Sequence, residues 1–382
     1  MNSKETTPAS GAKKNTSSRL LALDVLRGIT IAGMITVNNP GSWGSIYAPL
    51  EHSEWNGLTP TDLVFPFFMF IMGISTYISL RKYNFEFTYA AAWKIIRRTI
   101  VIFAIGLGIG WFSLYCRTLD PLPFDRIRIL GVMPRLALSY GAAALIALLM
   151  KHKHIPYLIA GLLIGYFLIL FFGNGFEHNE TNILSIVDRA VLGLNHMYKD
   201  NGIDPEGLLS TIPAIAHVLI GFCCGKLLME VKDINKKIER LFLIGTILTF
   251  TGFLLSYGCP INKKIWSPTF AITTCGLASS LLAVLVWIID AKGYKKWTRF
   301  FESFGVNPLF IYVMADILAI LLGNIHITYG NDTISLQGYI YSEILQPTLG
   351  NYGGSLAFAL LFVALNWAIA HVLYKKKLYI KI

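Results

Sequence analysis

The sequence predicts an all-α polytopic membrane protein, a bundle of about ten transmembrane helices with both termini in the cytoplasm. Of its 382 residues, 54% are hydrophobic and only 14% are charged, whereas about a quarter of the residues in a soluble domain carry charge. Apolar stretches of roughly 18 residues or more, long enough to cross a bilayer, recur along the whole chain. Lysine and arginine concentrate in alternate connections between these stretches, as expected for cytoplasmic segments.

The apolar stretches define ten predicted spans in chain order. These cover residues 20–38, 62–80, 95–113, 131–150, 155–173, 209–229, 241–258, 269–289, 306–322 and 354–374. The first is predicted to be a retained helix, because Asn38, Asn39 and Pro40 follow it where a signal peptide would have a cleavage motif. Residues 1–18 are polar and predict a disordered cytoplasmic tail, which leaves 19–382 as a single transmembrane domain.

Composition and motifs exclude several classes of function. The net charge of +11 comes from the short basic connections and not from a basic patch with interleaved aromatics, so no nucleic-acid partner is expected. The five cysteines show no spacing typical of a metal site, and neither a disulfide framework nor a metal is predicted. The sequence contains no Walker A loop, no HExxH and no GxSxG.

The predicted outer connections, by contrast, are long and polar, and functional residues of a rigid bundle tend to lie on such loops. In the first of them, EHSEWNGLTPTDLVFP, the segment Thr59-Pro60-Thr61-Asp62 predicts a helix start, with Thr59 as the N-cap and Asp62 reaching back to the cap amide. Capping is the first interpretation of Asp62, and a chemical role beside it stays open.

His52 lies in the same loop, with no helical face to bury it. It is either a solvated loop histidine or a general base, general acid or nucleophile, since an imidazole can exchange protons near neutral pH. Glu54 is near enough in sequence to orient the ring, and Trp55 to line a pocket around it.

Polar residues in the first helix and in the fourth are further candidates. Asn38 ends the first helix, where it either caps the helix or stabilises a developing oxyanion. Asp24 and Arg27 are spaced to pair on one helix face, as a structural ion pair or a ligand contact. Arg128 and Arg135 in FDRIRILGVMPRLALSY share one helix face, and their guanidinium groups are suited to bind a phosphate or a carboxylate. The alternative is a structural ion pair with Asp24 or Asp316.

Two other outer segments carry candidate substrate contacts. Asp204 and Glu206 precede the sixth predicted helix and serve either as a simple turn or as part of a site. Asn262, Lys263 and Trp266 lie in a short outer loop whose lysines run against the positive-inside bias, which favours a substrate role.

Six ordered blocks of this sequence resemble the heparan-α-glucosaminide N-acetyltransferase family, a group of membrane-embedded acyltransferases. The blocks are LDVLRGI, EHSEWNGLTPTDLVFPFFMFIMG, DRIRILGVMPRL, IDPEGLLSTI, CPINKKIWSPTF and VNPLFIYV. The resemblance extends over nearly the whole chain from about Leu20 onward.

The resemblance implies transfer of acetyl from cytoplasmic acetyl-CoA to the amino group of a glucosamine-type sugar on the outer side. His52 matches the essential histidine, as general base or acetylated nucleophile, and Asn38 matches the asparagine near the acetyl group. Asp62 completes the predicted catalytic set. The predicted coenzyme contacts are Arg27, Arg128, Arg135 and Asn307. The predicted acceptor contacts are Glu54, Trp55, Asp204, Glu206, Asn262, Lys263 and Trp266.

The chain departs from the lysosomal member of that family, since no extra luminal domain or span is recognisable in it. A bacterial inner-membrane location is therefore expected, with an amino sugar or oligosaccharide as acceptor, membrane lipid as a further partner and a homodimer as one form of assembly. The alternative function is a transporter of a sugar or acylated glycan, which intramembrane charges and polar outer loops also suit.

Overall fold

The computed structural model describes residues 20–198, 200–329 and 332–380, so the predicted tail, residues 1–18, lies outside the described residues. The described chain is helical apart from one antiparallel hairpin. Its α-helices are α1 (Leu21–Asn38), α2 (Val64–Leu80), α3 (Tyr89–Thr118), α4 (Val132–Leu149), α5 (Ile155–Phe172), α6 (Ile183–Val191), α7 (Thr211–Glu230), α8 (Ile234–Leu255), α9 (Pro268–Leu285), α10 (Thr298–Val306), α11 (Pro308–Asn324), α12 (Leu336–Tyr339) and α13 (Gln346–Lys375). The strands are β1 (His326–Tyr329) and β2 (Asp332–Ser335). Short 3₁₀ turns cover Ala48–Leu50, Thr61–Leu63, Arg81–Tyr83, His152–His154 and Leu194–His196, and π-helical turns cover Val286–Ala291 and Ile340–Leu345.

The number of membrane-crossing helices agrees with the prediction. Within the described residues, nine helical stretches are long and apolar enough to cross a membrane, and the bent pair α10–α11 makes a tenth. Each predicted span overlaps one of them, which confirms an all-α polytopic membrane protein. We call the face where α1 begins and α13 ends the terminal face, and the opposite face, where α1 ends, the loop face. That the terminal face is cytoplasmic stays a prediction.

Three features differ from the elements expected from sequence. The ninth span is bent by 85° between α10 and α11, because Asn307 leaves helical geometry and Pro308 starts a new helix. Within the predicted outer connection 174–208 lies α6, an amphipathic helix too short to span. The connection 323–353 likewise contains the β1–β2 hairpin.

The helices form an inner group and a peripheral group. In the spans containing α1, α2, α4, α7 and α9, 61 to 67% of the most apolar window is buried within the protein. The corresponding shares for α3, α5 and α8 are 6, 22 and 17%, so these helices present most of their surface to lipid. The polar candidates on α4, and those directly before α2 and α9, therefore adjoin helices of the inner group.

Glycines allow α2 and α7 to pack with their backbones in close approach. A Cβ atom on Gly73 would lie 2.1 Å from the carbonyl oxygen of Val218, and one on Gly221 would lie 2.2 Å from that of Phe70. Small residues at such crossings are typical of membrane helices, where association depends on close packing. The crossing holds α2, the helix that follows Asp62 in the chain, against α7.

We expect Gly73→Ala to destabilise the protein by about 1–3 kcal/mol, because the added methyl group meets backbone that cannot move aside cheaply. Thermal unfolding in detergent measures the effect. Gly108→Ala on α3 is the matched control, since a Cβ there has no atom within 4 Å. Equal stability of the two variants would contradict the close packing of α2 on α7.

Candidate active site

Thr59 and Asp62 make the predicted reciprocal contacts, but at the 3₁₀ turn Thr61–Leu63 that leads into α2 and not at the first residue of α2 itself. The backbone N–H of Thr59 donates to Asp62 Oδ2 at 3.1 Å, and Thr59 Oγ1 donates to the same oxygen at 3.0 Å. In return, the backbone N–H of Asp62 approaches Thr59 Oγ1 at 3.4 Å. The Asp62 side chain is fully buried, so the capping contacts hold a carboxylate inside the protein.

The same carboxylate contacts His52. Asp62 Oδ1 lies 2.7 Å from His52 Nδ1, while Ser53 donates its backbone N–H and its hydroxyl to Oδ2 at 3.2 and 3.0 Å. An ionised Asp62 accepts a hydrogen bond from the Nδ1–H group of a neutral His52. In that tautomer the free lone pair of the ring is on Nε2. The His52 side chain is 45% exposed, so the ring is accessible from the loop face.

Lys263 completes the group around the imidazole. Its Nζ lies 3.0 Å from His52 Nδ1, 3.3 Å from Nε2 and 3.5 Å from Asp62 Oδ1. Burial lowers the pKa of Lys263, although the carboxylate of Asp62 opposes that shift. The arrangement brings an imidazole, a carboxylate and an amine into contact across 211 residues of sequence.

Neighbouring loops hold this group in place. The side-chain amide of Asn262 donates to Asn56 Oδ1 at 3.1 Å, and its own oxygen accepts from Ile265 N–H at 3.1 Å. Trp55 stacks on His178 with ring centroids 4.2 Å apart and donates its Nε1–H to the carbonyl of Phe176. These contacts tie the first outer loop to the α8–α9 loop and to the 174–208 connection.

A cavity of about 420 Å³ opens beside His52 at the loop face. Its lining contains both signs of charge and one aromatic ring. The residues are His52, Ser53, Glu54, Asp62, Arg128, Tyr198, Asp200, Pro205, Glu206, Lys263 and Lys264. This volume is at the small end of typical small-molecule sites.

Arg128 joins two acidic residues at the wall of this cavity. Its Nε donates to Asp204 Oδ2 at 3.1 Å, and its Nη2 contacts Asp204 Oδ1 and Glu206 Oε2. Asp204 is fully buried and Glu206 is 9% exposed. Burial alone would lower the Arg128 pKa, but the carboxylates of Glu206 and Asp204 outweigh it and raise the pKa. The guanidinium is therefore the counter-ion of two carboxylates.

Arg135 lies one turn inside α4 and is fully buried. Its Nη2 donates to the carbonyl of Gly207 and to Ser210 Oγ, and its guanidinium lies 5.2 Å from the ring centre of Trp266. The alternative pairing of Arg135 with Asp24 or Asp316 is wrong, because its hydrogen bonds go to the start of α7. The spacing-based pairing of Asp24 with Arg27 is confirmed, at 2.9 Å.

Not every predicted site residue reaches the His52 cavity. Asn38 is exposed at the end of α1 and is absent from the cavity lining. Trp266 is 1% exposed and packs in the core, and Asn262 is fully buried in its loop. The roles predicted for Asn38, Trp55, Asn262 and Trp266 stay predictions.

Sequence reasoning missed Asp200, which lines the cavity and pairs with Lys264 at 2.7 Å. The sequence did point to Lys264, because it and Lys263 are lysines in a predicted outer loop, against the positive-inside bias. It gave no such signal for Asp200, because an acidic residue in a polar connection is common.

A second cavity, of about 400 Å³, opens at the terminal face. It combines basic residues with an apolar interior. Its lining is Arg27, Phe68, Ile71, Met72, Ser75, Ser79, Lys82, Lys94, Arg98, Ile102, Leu136, Val306, Pro308, Leu309 and Ile380. Phe68 and Lys82 are separated by about 21 Å of chain at ~1.5 Å per helical residue, so the lining follows α2 along most of its length.

The basic residues of this second cavity differ in their partners. Arg27 donates to Asp24 and to Ser75 Oγ, each at 2.9 Å. Arg98 lies over the ring of Tyr140 at 4.7 Å, and its buried Nε has no hydrogen-bond partner among the described residues. A buried donor without a partner is costly, which makes Arg98 suited to an anion.

Asn307, a predicted coenzyme contact, instead binds the chain near its end. Its Nδ2 donates to the carbonyl of Leu378 at 2.7 Å, and its Oδ1 accepts from the backbone N–H of Ile380 at 2.8 Å. Both amide groups are therefore used to hold the segment whose Ile380 lines the second cavity. Its predicted contact with the coenzyme stays a prediction.

Metal ligation has no structural support in the part of the chain described. Within residues 20–198, 200–329 and 332–380, no group of three or more His, Cys, Asp or Glu side chains is arranged to hold a metal ion. The five cysteines all lie there as free thiols.

Fold and site together define a polytopic helical membrane protein with an imidazole–carboxylate–amine cluster at one face and a basic cavity at the other. A family model described as "Heparan-alpha-glucosaminide N-acetyltransferase, catalytic" matches residues 19–257. The chain therefore belongs to the heparan-alpha-glucosaminide N-acetyltransferase family.

Two curated relatives carry the same name. The chain is 29% identical to heparan-alpha-glucosaminide N-acetyltransferase of Mus musculus over 434 aligned positions, which cover 97% of this chain and 61% of the relative. It is 28% identical to the Homo sapiens protein over 432 positions, covering 95% and 60%. The chain thus spans about three fifths of the length of these relatives.

Proposed function

We propose that this protein transfers an acetyl group from acetyl-CoA to the amino group of a glucosamine-type sugar across the membrane. The observation that carries the proposal is the His52–Asp62 pair, in contact at 2.7 Å beside a loop-face cavity. The family and the names of the relatives support the reaction type. The basic cavity at the opposite face supports a separate entrance for an anionic donor.

His52 acts as the base in this proposal. Asp62 binds Nδ1 and fixes the ring, so Nε2 accepts the proton that the acceptor nitrogen loses as it attacks the thioester carbonyl. The alternative route acetylates His52 first and passes the acetyl group to the sugar in a second step. Incubation with labelled acetyl-CoA in the absence of acceptor separates the routes, since only the second leaves label on the histidine.

The residues present fit acetyl-CoA as the co-substrate. Its thioester supplies an acyl group activated for attack, its phosphates carry negative charge, and its arm is slender. Lys82, Lys94 and Arg98 would hold the phosphates at the terminal face, and the apolar lining near Phe68 would surround the arm. Arg27, which pairs with Asp24 at 2.9 Å, lines the same cavity, and its contact with the coenzyme stays a prediction. Asn38 stays the oxyanion donor that the resemblance predicts.

We assign Arg128 and Arg135 to the acceptor side instead of the coenzyme phosphates. Arg128 is already the counter-ion of Asp204 and Glu206, and Arg135 is bonded to the start of α7. Both arginines lie at the loop-face end of the bundle, away from the basic cavity at the terminal face. Glu54 lines the loop-face cavity without an ion-pair partner among the described residues, so it suits the ammonium group of an incoming amino sugar.

Acetyl transfer by purified protein in detergent tests the proposal. The protein is expected to acetylate glucosamine in the presence of acetyl-CoA in a single compartment. A transporter of sugars or acylated glycans, the alternative function, would show no such turnover because it changes no covalent bond. The bacterial inner membrane as location and a homodimeric assembly remain predictions from the sequence.

We expect Arg98→Ala to raise KM for acetyl-CoA by about 10- to 100-fold, since a hydrogen bond to a charged group contributes about 1.5–3 kcal/mol. The KM for the acceptor should change little. Steady-state kinetics with each substrate varied in turn gives both values. Arg97→Ala is the matched control, because Arg97 is the neighbouring arginine on α3, exposed and outside the cavity. The same rise in both variants would refute phosphate binding by Arg98.

A further inference from the structure

Lys263 has a position that acceptor binding alone does not account for. Its side chain is 18% exposed and its Nζ touches the imidazole that the proposed function uses as a base. The other charged groups at this cavity are Asp62, 3.5 Å away, and Lys264, Asp200, Glu54, Arg128 and Glu206 in the wall. Lys264 pairs with the carboxylate of Asp200. Arg128 pairs with those of Asp204 and Glu206.

The contacts of Lys263 with His52 identify a route for a proton. Nζ lies 3.0 Å from Nδ1 and 3.3 Å from Nε2, yet the lone pairs of the two ring nitrogens diverge in the ring plane, so one amine cannot bond both at once. Asp62 already binds Nδ1. Proton exchange between Nζ and Nε2, the nitrogen left for chemistry, therefore requires the lysine side chain to move from its position in this structure.

We propose that Lys263 is the general acid that protonates the departing sulfur, and that it is recharged by His52; the inference rests on the proposed acetyl transfer. The acceptor reacts as the neutral amine, after its ammonium proton has gone to solvent. Its nitrogen bonds to the thioester carbonyl carbon, and the proton that this nitrogen then loses goes to His52 Nε2. The carbon–sulfur bond breaks, and the Lys263 ammonium gives a proton to the thiolate. The imidazolium then passes its proton to the Lys263 amine. One proton moves from nitrogen to sulfur, and both side chains return to their starting states.

Chemistry favours two groups over one for this step. Attacking nitrogen and departing sulfur are bonded to the same carbon, so a base that has just taken the nitrogen's proton must turn to reach the sulfur unless a second acid is at hand. Burial also brings the pKa of Lys263 down towards the range in which general acids are most efficient. Lys264, in contrast, pairs with Asp200 at 2.7 Å and makes no hydrogen bond to His52 within the described residues.

Donors with different leaving groups test the inference. Lys263→Met removes the proton while keeping an unbranched side chain, and is compared with wild type using acetyl-CoA and S-(4-nitrophenyl) thioacetate. The aryl thiolate is a stable anion and leaves without a proton. We expect kcat with acetyl-CoA to fall about 100-fold and kcat with the aryl donor to fall less than about threefold. Lys264→Met should leave the ratio of the two donors' rates as in wild type.

Equal losses with both donors would show that Lys263 only shapes the site and would overturn the inference, as would an undiminished rate with acetyl-CoA. If the wild-type protein showed no turnover with acetyl-CoA, the proposed function itself would be overturned. Calorimetric binding of CoA to Lys263→Met checks that the donor site is intact.

A readout independent of turnover is competitive labelling with acetic anhydride across pH, followed by mass spectrometry. Lys263 should become reactive at a lower pH than the exposed Lys296. A midpoint equal to or above that of Lys296 would contradict the inference.

Discussion

Replacing His52 by alanine is expected to lower kcat for acetyl transfer by about 10²- to 10⁴-fold, the contribution of a positioned general base. The methyl group cannot accept the acceptor's proton, and Asp62, 2.7 Å from Nδ1, loses the ring that it orients. The KM for acetyl-CoA should change little, because the basic cavity proposed for the coenzyme opens at the other face. Steady-state kinetics in detergent measures both constants.

His326→Ala provides the matched control for this experiment. His326 is an exposed histidine in β1, on the loop face and outside the cavity. We expect wild-type kinetics from it. Full acetyl transfer by His52→Ala would show that the base lies elsewhere, whereas a loss in both variants would indicate a change in the loop face as a whole.

Local sequence patterns predicted much of the fold and part of the site. Spacing alone predicts contacts between residues within one turn of a helix. The capping contacts of Thr59 with Asp62 and the ion pair of Asp24 with Arg27 are of this kind. The spans follow from apolar length, since a bilayer requires about 20 such residues. Hydropathy reports the length of an apolar segment and not its direction, so it does not predict a bend such as the one at Asn307.

The partners of the site's charged residues could not be predicted in this way. Arg128 binds Asp204 and Glu206, 76 and 78 residues away, and Lys263 reaches His52 over 211 residues. These residues were all candidates, yet spacing does not say which acid meets which base. That choice depends on how α2, α4 and α7 pack, and the arginines predicted to bind phosphate are bonded to the protein itself.

The charged groups of the two faces therefore suit different ligands. At the loop face, Arg128, Lys263 and Lys264 each lie within 3.5 Å of a carboxylate. Glu54 lines the same cavity and has no ion-pair partner among the described residues. At the terminal face, Lys82, Lys94 and Arg98 line a cavity in which Asp or Glu side chains are absent from the described lining. Under the proposed function, such a division suits an anionic donor at the terminal face and an amino sugar at the loop face.

Arg128→Ala is expected to destabilise the protein by about 3–5 kcal/mol, because it leaves buried carboxylates without their counter-ion. Asp204 is fully buried and Glu206 is 9% exposed, so water cannot replace the guanidinium cheaply. Thermal unfolding in detergent measures the loss. Arg128→Lys should restore only part of it, since an ammonium keeps the charge but cannot contact both carboxylates as the planar fork does.

Arg126→Ala is the matched comparison two residues away. Arg126 pairs with Asp125 at 3.2 Å, but the two side chains are 64 and 63% exposed, and an exposed pair contributes about 0–1 kcal/mol. The difference between the two variants therefore measures burial and not the removal of an arginine as such. If Arg128→Ala unfolded at the same temperature as Arg126→Ala, then Asp204 and Glu206 would not need a cation in the resting protein. Arg128 would in that case be available to bind an anionic group of a ligand.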